Sequence, residues 1–490
     1  MSEAGAPSHL GERTVRNTLF VLGARVISRL ASLVVVVVLA NTLGPDGYGR
    51  YTTLIAVSGL VSVVADLGFA PLYTREAARS PSQLGDYLGT MLLVKIALSA
   101  AAVAVLALAL GFGVGLEALI LPGASLLVLT AFANLVRNSF YAVGRVGFDA
   151  IAIVCEIGIQ ATLILYGARI HAPVAFYVWA YAASYGFTTV YALVVIRLFE
   201  LGRVRLSLDL RLIRRWLPLA LPFGVTFFLT NLYFRADVPI LQHFRPFSEV
   251  GWYQFAYKPF EALQFIPLAI QAVVYPLLSV YYVSDPARLR LAYERFFKAL
   301  VLLGWPLSAG TFVLVHPIGR LFRLFPESEP SLRILAFGIV FLFANSAFYA
   351  MLNAINRQAL NAWATGGAAA FNIVLNLALI PAFGYLTAST VTVVTEAALC
   401  VLGWWLVQSV GSELRLQWLH LSWRVVVAGV VMAVVLYPLA GLPIYISAPA
   451  GVLAYALSLY VIRAVSPSEW ELVRSGLLEH LGTQGRRSAM

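Results

Sequence analysis

Long apolar runs separated by short polar breaks recur from one end of the chain to the other. Many runs hold 18 or more residues, each enough to cross the roughly 30 Å hydrocarbon core of a bilayer as a helix. The pattern predicts fourteen membrane-spanning helices, at residues 17–43, 49–74, 87–112, 117–136, 147–168, 173–197, 216–241, 250–276, 297–318, 331–354, 358–380, 385–408, 421–440 and 443–463. The predicted fold is therefore all-α, a polytopic membrane bundle. The first run, Asn17–Leu43, is too long for a signal-peptide core and lacks a small-x-small cleavage pattern, so it is expected to stay as the first span.

The longest break, Leu198–Arg215, carries Arg203, Arg205, Arg211, Arg214 and Arg215 and reads as a basic linker on the membrane surface. It divides the chain into an N-terminal six-helix half (1–198), the linker (199–215), a C-terminal six-helix half (216–409), two additional helices (410–463) and a polar tail (464–490). The halves echo each other at an offset of 202 residues: Tyr48-Gly-Arg-Tyr51 answers Val250-Gly-Trp-Tyr253, Ala70 meets Ala272 and Tyr73 meets Tyr275. Six spans separate the copies, so both have the same orientation, a parallel repeat about an axis along the membrane normal.

Composition supports the membrane reading: 60% of residues are hydrophobic, 12% are charged and the mean hydropathy is +0.84. The net charge of +11 is distributed by topology. An even number of spans puts both termini on one side. Of 34 lysines and arginines, five (Arg25, Arg29, Lys95, Arg235, Lys258) lie within spans and six (Arg50, Arg169, Arg245, Arg320, Arg323, Arg333) on the far side, which leaves 23 on the side of the termini, Arg137 among them. That bias assigns the termini to the cytoplasm, and no nucleic-acid partner is expected. The two cysteines, Cys155 and Cys400, lie in apolar segments, with no disulfide framework, metal site or cofactor implied.

The candidate chemistry is the set of charges inside apolar stretches: Arg25, Arg29, Lys95, Glu156, Lys258, Glu261 and Glu396. Ionisable groups at this depth are costly and line polar pathways by default. Counted at 1.5 Å per residue from Asn17, Arg25 lies roughly 12 Å and Arg29 roughly 18 Å into the first span. Four residues apart, they share a face. The excess of cations points to an anionic substrate, with Arg25 and Arg29 as principal ligands, joined by Lys258 and Lys95. Arginine suits phosphate because its planar fork pairs with two oxygens. Lys258 and Glu261 are spaced to pair along one helix face, as a structural ion pair or as a gate. Glu156 and Glu396 are candidates for ion coupling or for offsetting a buried arginine. Arg235 and Asp237 are candidates for an outer gate, and Asp66 is expected to cap or to pair with Arg75 or Arg79. Pro218, Pro222, Pro239, Pro259, Pro267 and Pro276 invite kinks in the seventh and eighth spans. No Gly-x-x-x-x-Gly-Lys-Ser/Thr phosphate loop occurs, so no ATP hydrolysis is expected and the energy source lies outside the chain.

Several of these segments resemble one family. Leu43-Gly-Pro-Asp-Gly-Tyr-Gly-Arg-Tyr51, Ala65-Asp-Leu-Gly-Phe69, Thr74-Arg-Glu-Ala-Ala-Arg79, Arg235-Ala-Asp237, Glu249-Val-Gly-Trp-Tyr253 and Tyr257-Lys-Pro-Phe-Glu261 look like the Wzx-type oligosaccharide flippases of the multidrug/oligosaccharidyl-lipid/polysaccharide exporter superfamily. The resemblance implies alternating-access transfer of a polyprenyl-pyrophosphate-linked oligosaccharide from the cytoplasmic to the outer leaflet of the cell membrane, for surface polysaccharide such as O-antigen. It also implies glycosyltransferases and a polymerase of the same pathway as partners, beside membrane lipid. The extra pair of helices is similar to this branch and to lipid II flippases, whereas multidrug exporters typically have twelve. A lipid II-type flippase and a cation-coupled multidrug exporter are the rival transporters. The rival from another class is a membrane-embedded polymerase or ligase, against which the short outer loops argue.

Overall fold

The computed structural model describes residues 7–411, Leu414, Leu416 and 418–464. Side chains are described from Val21 onward, apart from Leu22, Val114 and residues 418–421. The expected polar tail beyond Ala464, with Arg474, Arg486 and Arg487, lies outside the described residues, as do Arg415 and the side chains of Arg13 and Arg16.

The described chain is helical, with no strand among the described residues. The order is α1 (Pro7–Asp66), α2 (Phe69–Arg79), α3 (Leu84–Leu108), α4 (Ile120–Ala142), α5 (Gly147–Arg169), α6 (Val174–Leu198), α7 (Leu210–Arg235), α8 (Asp237–Phe244), α9 (Phe247–Leu263) and α10 (Phe265–Ser284). It continues with α11 (Pro286–Val313), α12 (Val315–Phe322), α13 (Ser328–Ala354), α14 (Gln358–Phe383), α15 (Tyr385–Val410), α16 (Trp418–Leu436) and α17 (Ile444–Val461). Thirteen stretches among the described residues are long and apolar enough to cross a membrane, and the first, Gly23–Asp66, is 44 residues long. A helix of that length reaches about 66 Å, roughly twice a bilayer core, so it accounts for the first two predicted spans. They are divided at Gly44, whose φ of 67° and ψ of 178° leave the helical region. Glycine adopts that conformation freely, and the following Pro45 disfavours helix in the residue before it.

Other boundaries move for local reasons. The second predicted span ends at Asp66, not residue 74, because Leu67 and Gly68 take positive φ values of 47° and 82° before α2 begins. The seventh starts at Leu210, not 216: Asp209 caps it by accepting from the amides of Arg211 (2.9 Å) and Leu212 (3.0 Å). Asp285 caps α11 in the same way, accepting from Ala287 and Arg288 at 3.1 Å each, with Pro286 in the first turn. That helix therefore begins eleven residues before the predicted 297.

Two compact units result. The first comprises Met1–Ala262, Arg323–Ser331 and Ala362–Thr395. Part of its core is Phe69, Leu72, Tyr73, Leu88, Phe140 and Trp216, with the Tyr73 hydroxyl bonded to Ser139 at 2.7 Å. The sequence repeat reappears here as a reciprocal contact. A methyl group on Gly49 would lie 1.8 Å from the Phe247 carbonyl oxygen, and one on Gly251 would lie 2.1 Å from that of Pro45. Pro45 and Phe247 are separated by the same 202 positions as Gly49 and Gly251, so the two copies meet through equivalent backbone. The basic linker is held to α3 by a similar device. Methyl groups on Gly85 and Gly89 would lie 2.2 Å and 1.8 Å from the carbonyl oxygens of Arg203 and Arg205, and Thr90 donates to the Ser207 carbonyl at 2.9 Å.

The second unit comprises Leu263–Phe322, Leu332–Asn361 and Glu396–Met490. The two additional helices pack here: α16 lies on α11 and on α17. Tyr455 of α17 donates to the Leu302 carbonyl at 2.9 Å, and Arg320 of α12 donates to that of Gly441 at 2.9 Å.

Candidate functional site

Arg25 and Arg29 share a face of α1 by spacing, yet they enter different polar groups. Arg25 donates to the Tyr141 hydroxyl at 3.0 Å, and that hydroxyl donates to Asp149 at 2.6 Å. Arg137 holds the other Asp149 oxygen through Nε at 2.6 Å and reaches Glu156 at 3.1 Å. Thr188 completes the group by donating to Glu156 at 2.9 Å. The chain thus links α1, α4, α5 and α6. Asp149 is fully buried at 0% exposure, which its two charge-assisted or hydroxyl donors make tolerable. Beside this group lies a cavity of about 580 Å³, lined among others by Arg25, Thr74, Arg75, Arg137, Asn138 and Asp149.

The second group lies within the electrostatic reach of Arg29. Lys258 pairs with Glu261 along α9 at 2.8 Å, with side chains 28% and 33% exposed. Glu261 also feels the charges of Arg29 and Arg235, and Tyr181 of α6 feels Glu261, Arg235 and Arg29 together. Arg235 donates to the Ile55 carbonyl at 3.2 Å. It lies over Gly59, where a methyl group would be 2.6 Å from its guanidinium. Arg29 is exposed and forms no hydrogen bond or ion pair with any described residue.

The remaining candidates have other partners. Lys95, only 3% exposed, forms an ion pair with Asp66. This corrects the expectation for Asp66, because Arg75 and Arg79 both turn to Glu76, at 2.9 and 3.2 Å. Asp237 accepts from the Tyr253 hydroxyl and from the Val238 amide at 2.9 Å, while Arg235 goes to Ile55. In the second unit, Glu396 is 6% exposed and accepts from Asn345 at 2.8 Å. No group of three or more His, Cys, Asp or Glu side chains able to hold a metal occurs among the described residues. Cys155 and Cys400 are free thiols.

Of the six basic side chains Arg25, Arg29, Lys95, Arg137, Arg235 and Lys258, the three Lys95, Arg137 and Lys258 thus have carboxylate partners. Arg25, Arg29 and Arg235 have no carboxylate at ion-pair distance among the described residues, although Glu261 lies within the electrostatic reach of Arg29 and Arg235. Arg137 is the residue that sequence reasoning missed: the charge tally placed it in a cytoplasmic loop, whereas it sits inside α4 and is half-buried. The signal was present, because a carboxylate in mid-span such as Glu156 demands a cation, and Arg137 is the basic side chain of the preceding span.

The sequence matches the family model described as polysaccharide biosynthesis protein over residues 14–281, and that described as MatE over residues 222–378. An uncharacterized membrane protein of Methanocaldococcus jannaschii, MJ1068, is 25% identical over 178 residues, which take in 34% of this chain and 32% of that relative's length. Among solved structures, the lipid II flippase MurJ in an inward closed conformation superimposes with a TM-score of 0.74 at 14% identity, covering 91% of this chain and 98% of that one. A multidrug resistance MATE family transporter in an inward-facing conformation gives 0.63 at 15% identity, covering 79% and 95%. With more than half of its length matched by one family model and a bundle of this fold, the chain belongs to the polysaccharide biosynthesis protein family, within the multidrug/oligosaccharidyl-lipid/polysaccharide exporter superfamily of membrane transporters.

Proposed function

We propose that this transporter is a flippase for a polyprenyl-pyrophosphate-linked oligosaccharide, moved from the cytoplasmic to the outer leaflet of the cell membrane by alternating access. The observation that carries the reading is the set of arginines at membrane depth with no carboxylate at ion-pair distance. Such charges are retained at high cost when a ligand neutralises them. In this reading Arg29 and Arg235, supported by Lys258, hold the pyrophosphate. Glu261 keeps the lysine oriented while the site is empty. Asp237 and Glu396 serve structure or gating. The match to polysaccharide biosynthesis proteins supports a saccharide cargo. The likeness to a lipid II flippase supports a lipid carrier. The bias of loop arginines supports termini on the cytoplasmic side, and glycosyltransferases and a polymerase of the same pathway are the partners such a cargo requires.

The test is the sidedness of lipid-linked oligosaccharide in spheroplasts depleted of the protein, probed with an impermeant glycosidase. Accumulation of glycolipid protected from the reagent is expected. Glycolipid that stays accessible but is not polymerised would instead place the protein after translocation, as an enzyme. Re-expression of the Arg29→Ala/Arg235→Ala variant at wild-type level should not restore exposure, since each lost charge-assisted contact costs about 1.5–3 kcal/mol, roughly tenfold or more.

A further inference from the structure

The cavity beside Arg25 is separate from the Arg29 group and is built for an anion. Its lining includes three guanidinium groups, of which Arg137 is already paired with Asp149 and Glu156 while Arg25 and Arg75 keep donors to spare, and the amides of Asn134 and Asn138, the latter donating to the Ala70 carbonyl at 3.3 Å. Its one lining carboxylate, Asp149, already has both oxygens taken, by Arg137 and by Tyr141. Arg25 has five N–H donors and its described bond uses one, to the neutral Tyr141. Arg75 uses Nε on Glu76 at 2.9 Å and keeps its outer fork, the pair of nitrogens that meets phosphate oxygens side by side. The volume of about 580 Å³ is that of a small-molecule site.

Its place in the bundle gives it a role. Thr74 and Arg75 belong to the last turns of α2, Tyr141 to the last turn of α4 and Asp149 to the first turn of α5. These residues place the cavity toward the ends of the helices that meet the breaks 80–83 and 143–146, the end that the arginine bias assigns to the cytoplasm. Four residues along α1, about 6 Å, comes Arg29.

We propose that this cavity is a second phosphate-binding subsite, a loading station where the pyrophosphate of the substrate is held before it passes along α1 to Arg29 and Arg235. The inference rests on the flippase reading. A single deep site would leave the dianionic head to cross the intervening helix turn unpaired. Two stations one turn apart keep a guanidinium within reach throughout.

The test is equilibrium binding of geranylgeranyl pyrophosphate to the purified full-length protein in detergent. Wild type is expected to take up two equivalents. Arg25→Gln and, independently, Asn134→Trp, which fills the cavity without removing a described hydrogen bond, should each abolish one class of binding and slow translocation. Arg29→Gln/Arg235→Gln should abolish the other class and leave the first. One equivalent, lost in Arg29→Gln/Arg235→Gln and untouched by Arg25→Gln and Asn134→Trp, would overturn the loading station and leave the flippase reading standing. No saturable binding by wild type would overturn both. Displacement from the Arg25 class by equimolar phosphatidylglycerol or orthophosphate would overturn it in favour of an ordinary headgroup or free-phosphate site.

Discussion

Lys95 is 3% exposed and its ammonium is matched to one carboxylate, Asp66, so the pair belongs to the packing of α1 against α3. Lys95→Ala leaves the half-buried Asp66 carboxylate without its cation and is expected to cost up to about 3 kcal/mol, read as a lower melting temperature of the purified protein. Lys95→Met combined with Asp66→Leu should recover most of that loss. Arg29 behaves oppositely: it is exposed and unpaired, so Arg29→Gln should leave melting unchanged while translocation falls. Helical spacing placed Arg25 and Arg29 on one face, and that much was legible. What separates them, Tyr141 on α4 against Glu261 on α9, lies 116 or more residues away, and no local pattern encodes contacts across such distances. Arg137 was hidden for the same reason, since a basic residue near a span end looks like topology until its carboxylates on α5 are seen.

Helices are the most legible level, because a segment in lipid must satisfy its backbone within itself and so announces its length in apolar residues. The ends are less so: a single cap such as Asp209 or Asp285 adds turns that hydropathy does not count. The contacts of glycines are invisible at that level, and they carry predictions. Gly251→Ala puts a methyl group against the Pro45 carbonyl at 2.1 Å, so the backbone there must part. Tyr48 is 1% exposed. A Tyr48→Cys reporter in a chain with Cys155 and Cys400 replaced by serine should resist an impermeant thiol reagent alone and become labelled when Gly251→Ala is added. Gly89→Leu should lift the linker from α3 and speed tryptic cleavage after Arg203 and Arg205, with α3 itself staying intact.

At the scale of the molecule, the repeat seen as a few matched residues became a reciprocal backbone contact, and the family match agrees with the motifs at residues 43–79 and 235–261. The membrane-depth charges described above have a consequence for energetics. Arg25, Arg29, Lys95, Arg137, Arg235 and Lys258 stand against Asp66, Asp149, Glu156, Asp237, Glu261 and Glu396, six of each sign when all are ionised. In the proposed flippase a pyrophosphate esterified at both ends keeps an ionised oxygen on each phosphorus, so the loaded carrier bears two negative charges more than the empty, balanced one. A resting potential negative inside then pushes the loaded state outward and leaves the return of the empty state unopposed. The loaded half of the cycle runs downhill, by at most about 2.3 kcal/mol per charge for each 100 mV. In proteoliposomes, a potential negative on the loading side should therefore accelerate translocation, and an ionophore that collapses it should slow the cycle with no ion gradient present. In the proposed cycle, then, the membrane potential drives the export step without an ion gradient.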